Sequence, residues 1–229
     1  KPEVEHSGRS SAQAFYVLSV DVGRKGCDSV VCVFKVTPQS MGAAYKSLVN
    51  IYTFSDEHFE DQAIRIKKLF YKYKARRVVI DANGLGIGLV DYMIKSQIDP
   101  NTGDTYLIAD RQYHKWYYKK YKTNNTEQDA MYLVKATAPI NTEAHANAQS
   151  QLSSGKVKLL IDERVAKTKL MGTKVGQNMK PEERAEYLKP FTLTSILKEE
   201  MMNLREENEG VNIILKQANK GIRKDKFSA

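Results

Sequence analysis

Cysteine is scarce in this 229-residue chain, with Cys27 and Cys32 the only two. There is no second pair to complete a zinc site and too little thiol for a disulfide framework, so both are expected to be reduced. Also missing is any apolar run of about 18 residues or more, and the polar N-terminus KPEVEHSGRSSAQ has no signal-peptide core. A soluble, intracellular protein is the expectation. No Gly-x-x-x-x-Gly-Lys-Ser/Thr phosphate loop occurs. Acid is in deficit too: 27 Asp and Glu face 36 Lys and Arg, giving a net charge of +9 and a pI near 9.3. That balance suits a nucleic-acid partner and equally an ordinary basic protein.

What is present begins with FYVLSVDVGRKGC, residues 15–27. Aromatic, aliphatic and β-branched side chains make it a buried strand that delivers Asp21 to its end. Gly23 and Gly26 bracket Arg24 and Lys25, and the β-rich run 29–36 follows at once, so a hairpin is expected. Asp21 reads either as a turn residue bonded to backbone amides or as a site carboxylate offset by positive charge. A third strand is expected over 47–54, and three strands with short connections predict an antiparallel start to a sheet.

Phe59, Ala63, Ile66, Leu69, Phe70 and Tyr73 recur at helical spacing, predicting an amphipathic helix over 56–74 capped by Ser55 or Asp56. Val78-Val79-Ile80-Asp81 is a second short strand ending on an acid, so the organisation is α/β. After it, Ala82-Asn83-Gly84-Leu85-Gly86-Ile87-Gly88 enters a helix. Leu89 stands where a dinucleotide fingerprint needs glycine. The small residues instead suit close packing of the helix start against the strand end. Asp91 reads as a surface residue or a local partner.

Farther on, a strand is expected at 105–109 and helices at 124–138, 143–152 and 196–208. Strands are expected at 156–161 and 211–215, and a helix at the end of the chain. The run His114-Lys115-Trp116-Tyr117-Tyr118-Lys119-Lys120-Tyr121-Lys122 suits base stacking with phosphate contacts, or an aromatic loop packed on the core with its lysines solvated. Residues 162–192 carry Gly172, Gly176, Pro181, Pro190 and many lysines, including Lys174. They read as a flexible basic loop or hairpin insertion that holds a polyanion or is merely solvated. Residues 1–13 read as a linker or disordered arm, and 14–229 as one domain cut from something longer.

Three pieces together, Val20-Asp21-Val22-Gly23, Val79-Ile80-Asp81-Ala82-Asn83-Gly84-Leu85-Gly86 and Arg223-Lys224-Asp225-Lys226-Phe227-Ser228-Ala229, resemble the nuclease domain of tailed-phage large terminase subunits. The resemblance spans nearly the whole chain in order. It implies an RNase H-like fold, a central mixed sheet with antiparallel first strands flanked by helices, joined in the intact subunit to an N-terminal packaging ATPase. Asp21, Asp81 and Asp225 match the family's carboxylates, and Asp28 is a lesser candidate. The implied chemistry is Mg²⁺- or Mn²⁺-dependent hydrolysis of DNA by two metal ions, since gathered carboxylates repel unless hard divalent cations offset them. Asp21 is the expected bridging ligand, with Asp81 and Asp225 on either side.

Arg24, Lys25, Arg223, Lys224, Trp116, Lys119, Lys120 and Lys174 are candidates for DNA contact, or generic surface. The implied setting is cleavage of concatemeric viral DNA during packaging in the host cytoplasm. Its implied partners are double-stranded DNA, the ATPase domain, the small terminase subunit and the portal, with no membrane involved. Rival readings are a junction resolvase or transposase-like nuclease of the same fold, a non-catalytic DNA-binding module, and an actin-like kinase fragment. His114 and His145 are expected to be structural or surface residues.

Overall fold

The computed structural model describes residues 13–23, 26–107 and 130–229. The expectations placed on residues 1–12, Arg24, Lys25, His114, Trp116, Lys119 and Lys120 lie outside the described residues.

Strand β1 (Phe15–Asp21) ends on its acid as expected, and β2 (Asp28–Thr37) and β3 (Tyr45–Ser55) follow through short connections. Helix α1 (Phe59–Tyr73) buries Ala63, Ile66 and Leu69 at the predicted spacing. Its N-cap is His58, not Ser55 or Asp56. Asp56 is drawn elsewhere: its Oδ1 accepts the Gly26 amide at 2.8 Å, while its own backbone adopts a φ of 53°. Strand β4 (Arg77–Asp81) and helix α2 (Leu85–Met93) come next, then the two-residue strands β5 (Gln97–Ile98) and β6 (Thr105–Tyr106), paired antiparallel.

Strand β7 (Met131–Val134) lies inside the stretch expected to be helical at 124–138. Tyr132, Leu133 and Val134 are β-compatible, and the open edge of β4 supplies hydrogen-bond partners that local helix propensity cannot match.

Helix α3 (Ala138–Ser153) precedes the short strand β8 (Val157–Lys158). The expected loop at 162–192 is instead helical: α4 (Glu163–Met171), α5 (Lys174–Asn178) and α6 (Pro181–Met202). Gly172 and Pro181 mark helix boundaries, whereas Gly176 and Pro190 lie inside helices. Gly172 is the C-cap of α4 and Pro181 opens α6, where a missing N–H costs nothing. Asp162 and Thr173 accept first-turn amides as N-caps. Ala166, Leu170, Leu188 and Phe191 close over Leu160 in a small apolar core. Strands β9 (Leu204–Glu209) and β10 (Asn212–Gln217) form an antiparallel hairpin, so residues 204–208 are extended rather than the end of a helix. A last turn, α7 (Asp225–Ser228), carries the third candidate acid.

The central sheet is mixed, with strand order β7-β4-β1-β2-β3-β8. The pairs β1–β4, β4–β7 and β3–β8 are parallel. The short connections from β1 to β2 to β3 leave no room for a parallel crossover, so those neighbours run antiparallel. Two compact units divide the chain: residues 14–33 and 53–136 form one, and residues 34–52 and 137–228 the other. Among the described residues no helix is long and apolar enough to cross a membrane.

Candidate functional site

In the unit built on 14–33 and 53–136, two of the expected acids come together. The parallel register pairs Leu18 with Val78 and Val20 with Ile80, all four buried. Side chains alternate along a strand. One step past Val20 and Ile80, Asp21 and Asp81 therefore project from the opposite, half-buried face, the one bearing Ser19 and Val79. Adjacent strands lie roughly 4.8 Å apart, so the two carboxylates stand side by side at the ends of neighbouring strands.

Both strand ends are held firmly. Gly23, two residues beyond Asp21, donates its N–H to Ser29 Oγ at 2.8 Å. The Ser29 hydroxyl lies 2.7 Å from Gln62 Oε1, and Gln62 Nε2 donates to Gly23 O at 3.2 Å and to Glu57 O at 3.0 Å. Ser29 and Gln62 are buried, so β2 and α1 clamp the turn after Asp21. A Cβ on Gly23 would sit 2.3 Å from Asp28 O, which explains the glycine. Asp28 itself starts β2 and accepts the Ser55 hydroxyl at 2.6 Å.

On the other strand, Asp81 Oδ1 accepts the Asn83 N–H at 2.9 Å, and Asn83 Nδ2 donates to Ala136 O at 3.0 Å. A Cβ on Gly86 would meet Asp81 O at 1.6 Å, and one on Gly88 would meet the Phe59 ring at 2.8 Å. The glycine-rich entry to α2 thus serves close packing against the strand end, as its sequence suggested. Asp91 is half-buried inside α2, and its Oδ1 is buried with no hydrogen-bond partner among the described residues. It is therefore neither a plain surface residue nor a paired one.

In the same unit is a lysine that nothing in its local sequence marks. Lys67 on α1 is wholly buried, and its Nζ donates to Tyr92 O at 2.9 Å, Lys95 O at 2.5 Å and Gln97 Oε1 at 2.7 Å. Burial pushes its pKa down to about 7. Three acceptors match the three hydrogens of an ammonium, so this one group ties α1 to the C-terminal end of α2.

In the unit built on 34–52 and 137–228, Asp225 opens α7 with a quarter of its side chain exposed. Arg223 Nη1 is 3.8 Å from its Oδ2. Arg223, Lys224 and Lys174 are exposed, as phosphate-contacting residues need to be. The His145 ring packs 6.2 Å from Phe227, centroid to centroid. Burial first, then the Lys224 charge, lower its pKa, partly offset by the Ile213 backbone. His145 is thus half-buried against the turn that bears Asp225, a proximity its sequence position did not betray.

Carboxylates are hard oxygen donors, so the Asp21–Asp81 pair fits Mg²⁺ or Mn²⁺ in kind. Among the described residues, no group of three or more His, Cys, Asp or Glu that could hold a metal ion is assembled.

No family model matches the chain, and no curated protein matches it in sequence. Solved structures do match its fold. The large terminase nuclease from thermophilic phage G20c with bound magnesium superposes with a TM-score of 0.52 at 14% identity, covering 96% of this chain and 79% of that one. The same nuclease with bound cobalt gives 0.52 at 13% identity, covering 94% and 77%. Identity this low speaks for architecture alone. The chain has the RNase H-like fold of these large terminase nucleases.

Proposed function

We propose that this chain is the nuclease domain of a tailed-phage large terminase, a metal-dependent endonuclease that cuts concatemeric viral DNA during packaging. The observation that carries this reading is that Asp21 and Asp81 each stand one residue past the last registered pair, Val20 and Ile80, of two adjacent parallel strands. Two like charges so close are costly without a cation to offset them. The magnesium and cobalt in the G20c nuclease structures support the same reading.

Asp21, Asp81 and Asp225 would be the residues that hold the metal ions, with Asp28 in reserve. When bound, a pair of Mg²⁺ or Mn²⁺ ions supplies activation of the attacking water and charge neutralisation at the phosphate and the leaving 3′ oxygen. The chain's own residues do the rest. Ser29 and Gln62 fix the turn after Asp21, and Asn83 and Gly86 fix the backbone around Asp81. Arg223, Lys224 and Lys174 offer exposed charge to the DNA backbone, with Arg24, Lys25, Trp116, Lys119 and Lys120 as further candidates. In the intact subunit, an ATPase domain, the small subunit and the portal would direct where cutting occurs, in the host cytoplasm.

Cleavage of supercoiled plasmid in Mn²⁺ tests the assignment. Asp21→Asn and Asp81→Asn are each expected to lower the rate by about 100-fold or more, because direct ligands matter at least as much as the groups that orient them. Wild-type rates in either variant would sink it.

A further inference from the structure

We propose that Glu200 is the positioning residue for Asp225, acting from α6 through the backbone of α7; this rests on the reading of Asp225 as a metal ligand. Glu200 is 1% exposed, although it is a carboxylate in a helix that also carries the solvent-facing Lys189 and Glu199. It follows Leu193 and Leu197 on the buried face of α6 at three- and four-residue spacing. Its Oε2 accepts the backbone N–H groups of Lys226 at 2.9 Å and Phe227 at 3.0 Å, and its Oε1 lies 3.2 Å from Lys226 Nζ.

Those two amides are the residues immediately after Asp225. A four-residue turn cannot sustain itself, because nucleating a helix is unfavourable and its first N–H groups have no partner within it. Glu200 supplies that partner from a different helix. Two charge-assisted bonds to successive amides fix both the place and the rotation of the turn, and with them the direction of the Asp225 side chain. The Arg223 contact with Asp225, at 3.8 Å and more than half exposed, is too weak to do this.

The C-cap of α6, Asn203, and the last residue of β10, Gln217, hold the approach to the turn. Asn203 Nδ2 donates to Asn219 O at 2.9 Å, Asn203 Oδ1 accepts the Asn219 N–H at 2.8 Å, and Gln217 Nε2 donates to Ile222 O at 2.6 Å. The Lys226 ammonium is then the counter-charge that makes a buried Glu200 tolerable, not the element that aims Asp225.

The test titrates Mn²⁺ into the full chain and follows binding by the electron paramagnetic resonance of the free ion, well below the melting temperature of each variant. Glu200→Gln is expected to weaken Mn²⁺ binding by about 10-fold or more and to lower kcat with little change in KM for DNA. Lys226→Met, which leaves both backbone bonds to Oε2, is expected to lower the melting temperature while binding Mn²⁺ within about twofold of wild type. Glu200→Gln binding Mn²⁺ like wild type, while Asp225→Asn is impaired, would overturn the positioning role alone. Asp225→Asn binding and cutting like wild type would overturn the ligand assignment beneath it. Should Glu200→Gln not fold, hydrogen exchange of the wild-type, metal-free chain decides. The Lys226 and Phe227 amides are expected to be protected, and exchange at open-chain rates would overturn the proposal.

Discussion

At the scale of single residues, the proposed site acids Asp21 and Asp81 are ones that a strand end leaves half-buried. Their place at strand ends was legible because each follows a short apolar run, and the β1–β4 register sets those ends on adjacent strands. Gly86 was legible too, as a place where only a hydrogen fits between helix and strand. Replacing it therefore has a defined consequence. A methyl at 1.6 Å from Asp81 O must push the strand end aside, and backbone does not yield cheaply. Gly86→Ala is expected to cost about 2–3 kcal/mol and to depress cleavage along with Asp81. Gly88→Ala meets only the turnable Phe59 ring and should cost less on both counts. Parallel melting curves and plasmid assays check this; equal effects at the two positions would contradict it. Glu200, by contrast, was invisible in sequence. It sits in a run of charged helix residues, and nothing local marks it as the one turned inward.

At the scale of elements, the misreadings share one cause: tertiary partners overrode local signals. The stretch 162–192 looks like a loop by its glycines, prolines and lysines, yet it folds into helices, of which α4 and α6 bring apolar residues together around Leu160. Pro190 is tolerated inside α6, where it is buried and its carbonyl accepts the Thr194 hydroxyl at 2.7 Å. Likewise β9 reads as the continuation of a helix until its pairing with β10 is known. Element packing also concentrates on Lys67. Lys67→Met keeps the aliphatic volume but leaves Tyr92 O, Lys95 O and Gln97 Oε1 without their donor. The expected cost is roughly 3 kcal/mol, or on the order of 10 °C in melting temperature. An unchanged melting temperature would show that α1 and α2 are joined by apolar packing alone.

At the scale of the whole molecule, the architecture was readable from three short motifs and the order of strands, even though identity to the matching nucleases is only 13–14%. A fold tolerates that divergence because it needs buried apolar positions and correct register, not particular side chains. The excess of 36 basic over 27 acidic residues fits a DNA partner at this scale without specifying where DNA lies. The metal-ligand role proposed for Asp21 and Asp81 is narrower. The most direct measurement is anomalous diffraction from crystals soaked in Mn²⁺. A peak is expected within coordination distance, roughly 2.0–2.6 Å, of both the Asp21 and the Asp81 carboxylates, lost in Asp21→Asn. Manganese bound elsewhere, with none at these two acids in a protein that still cuts DNA, would contradict it.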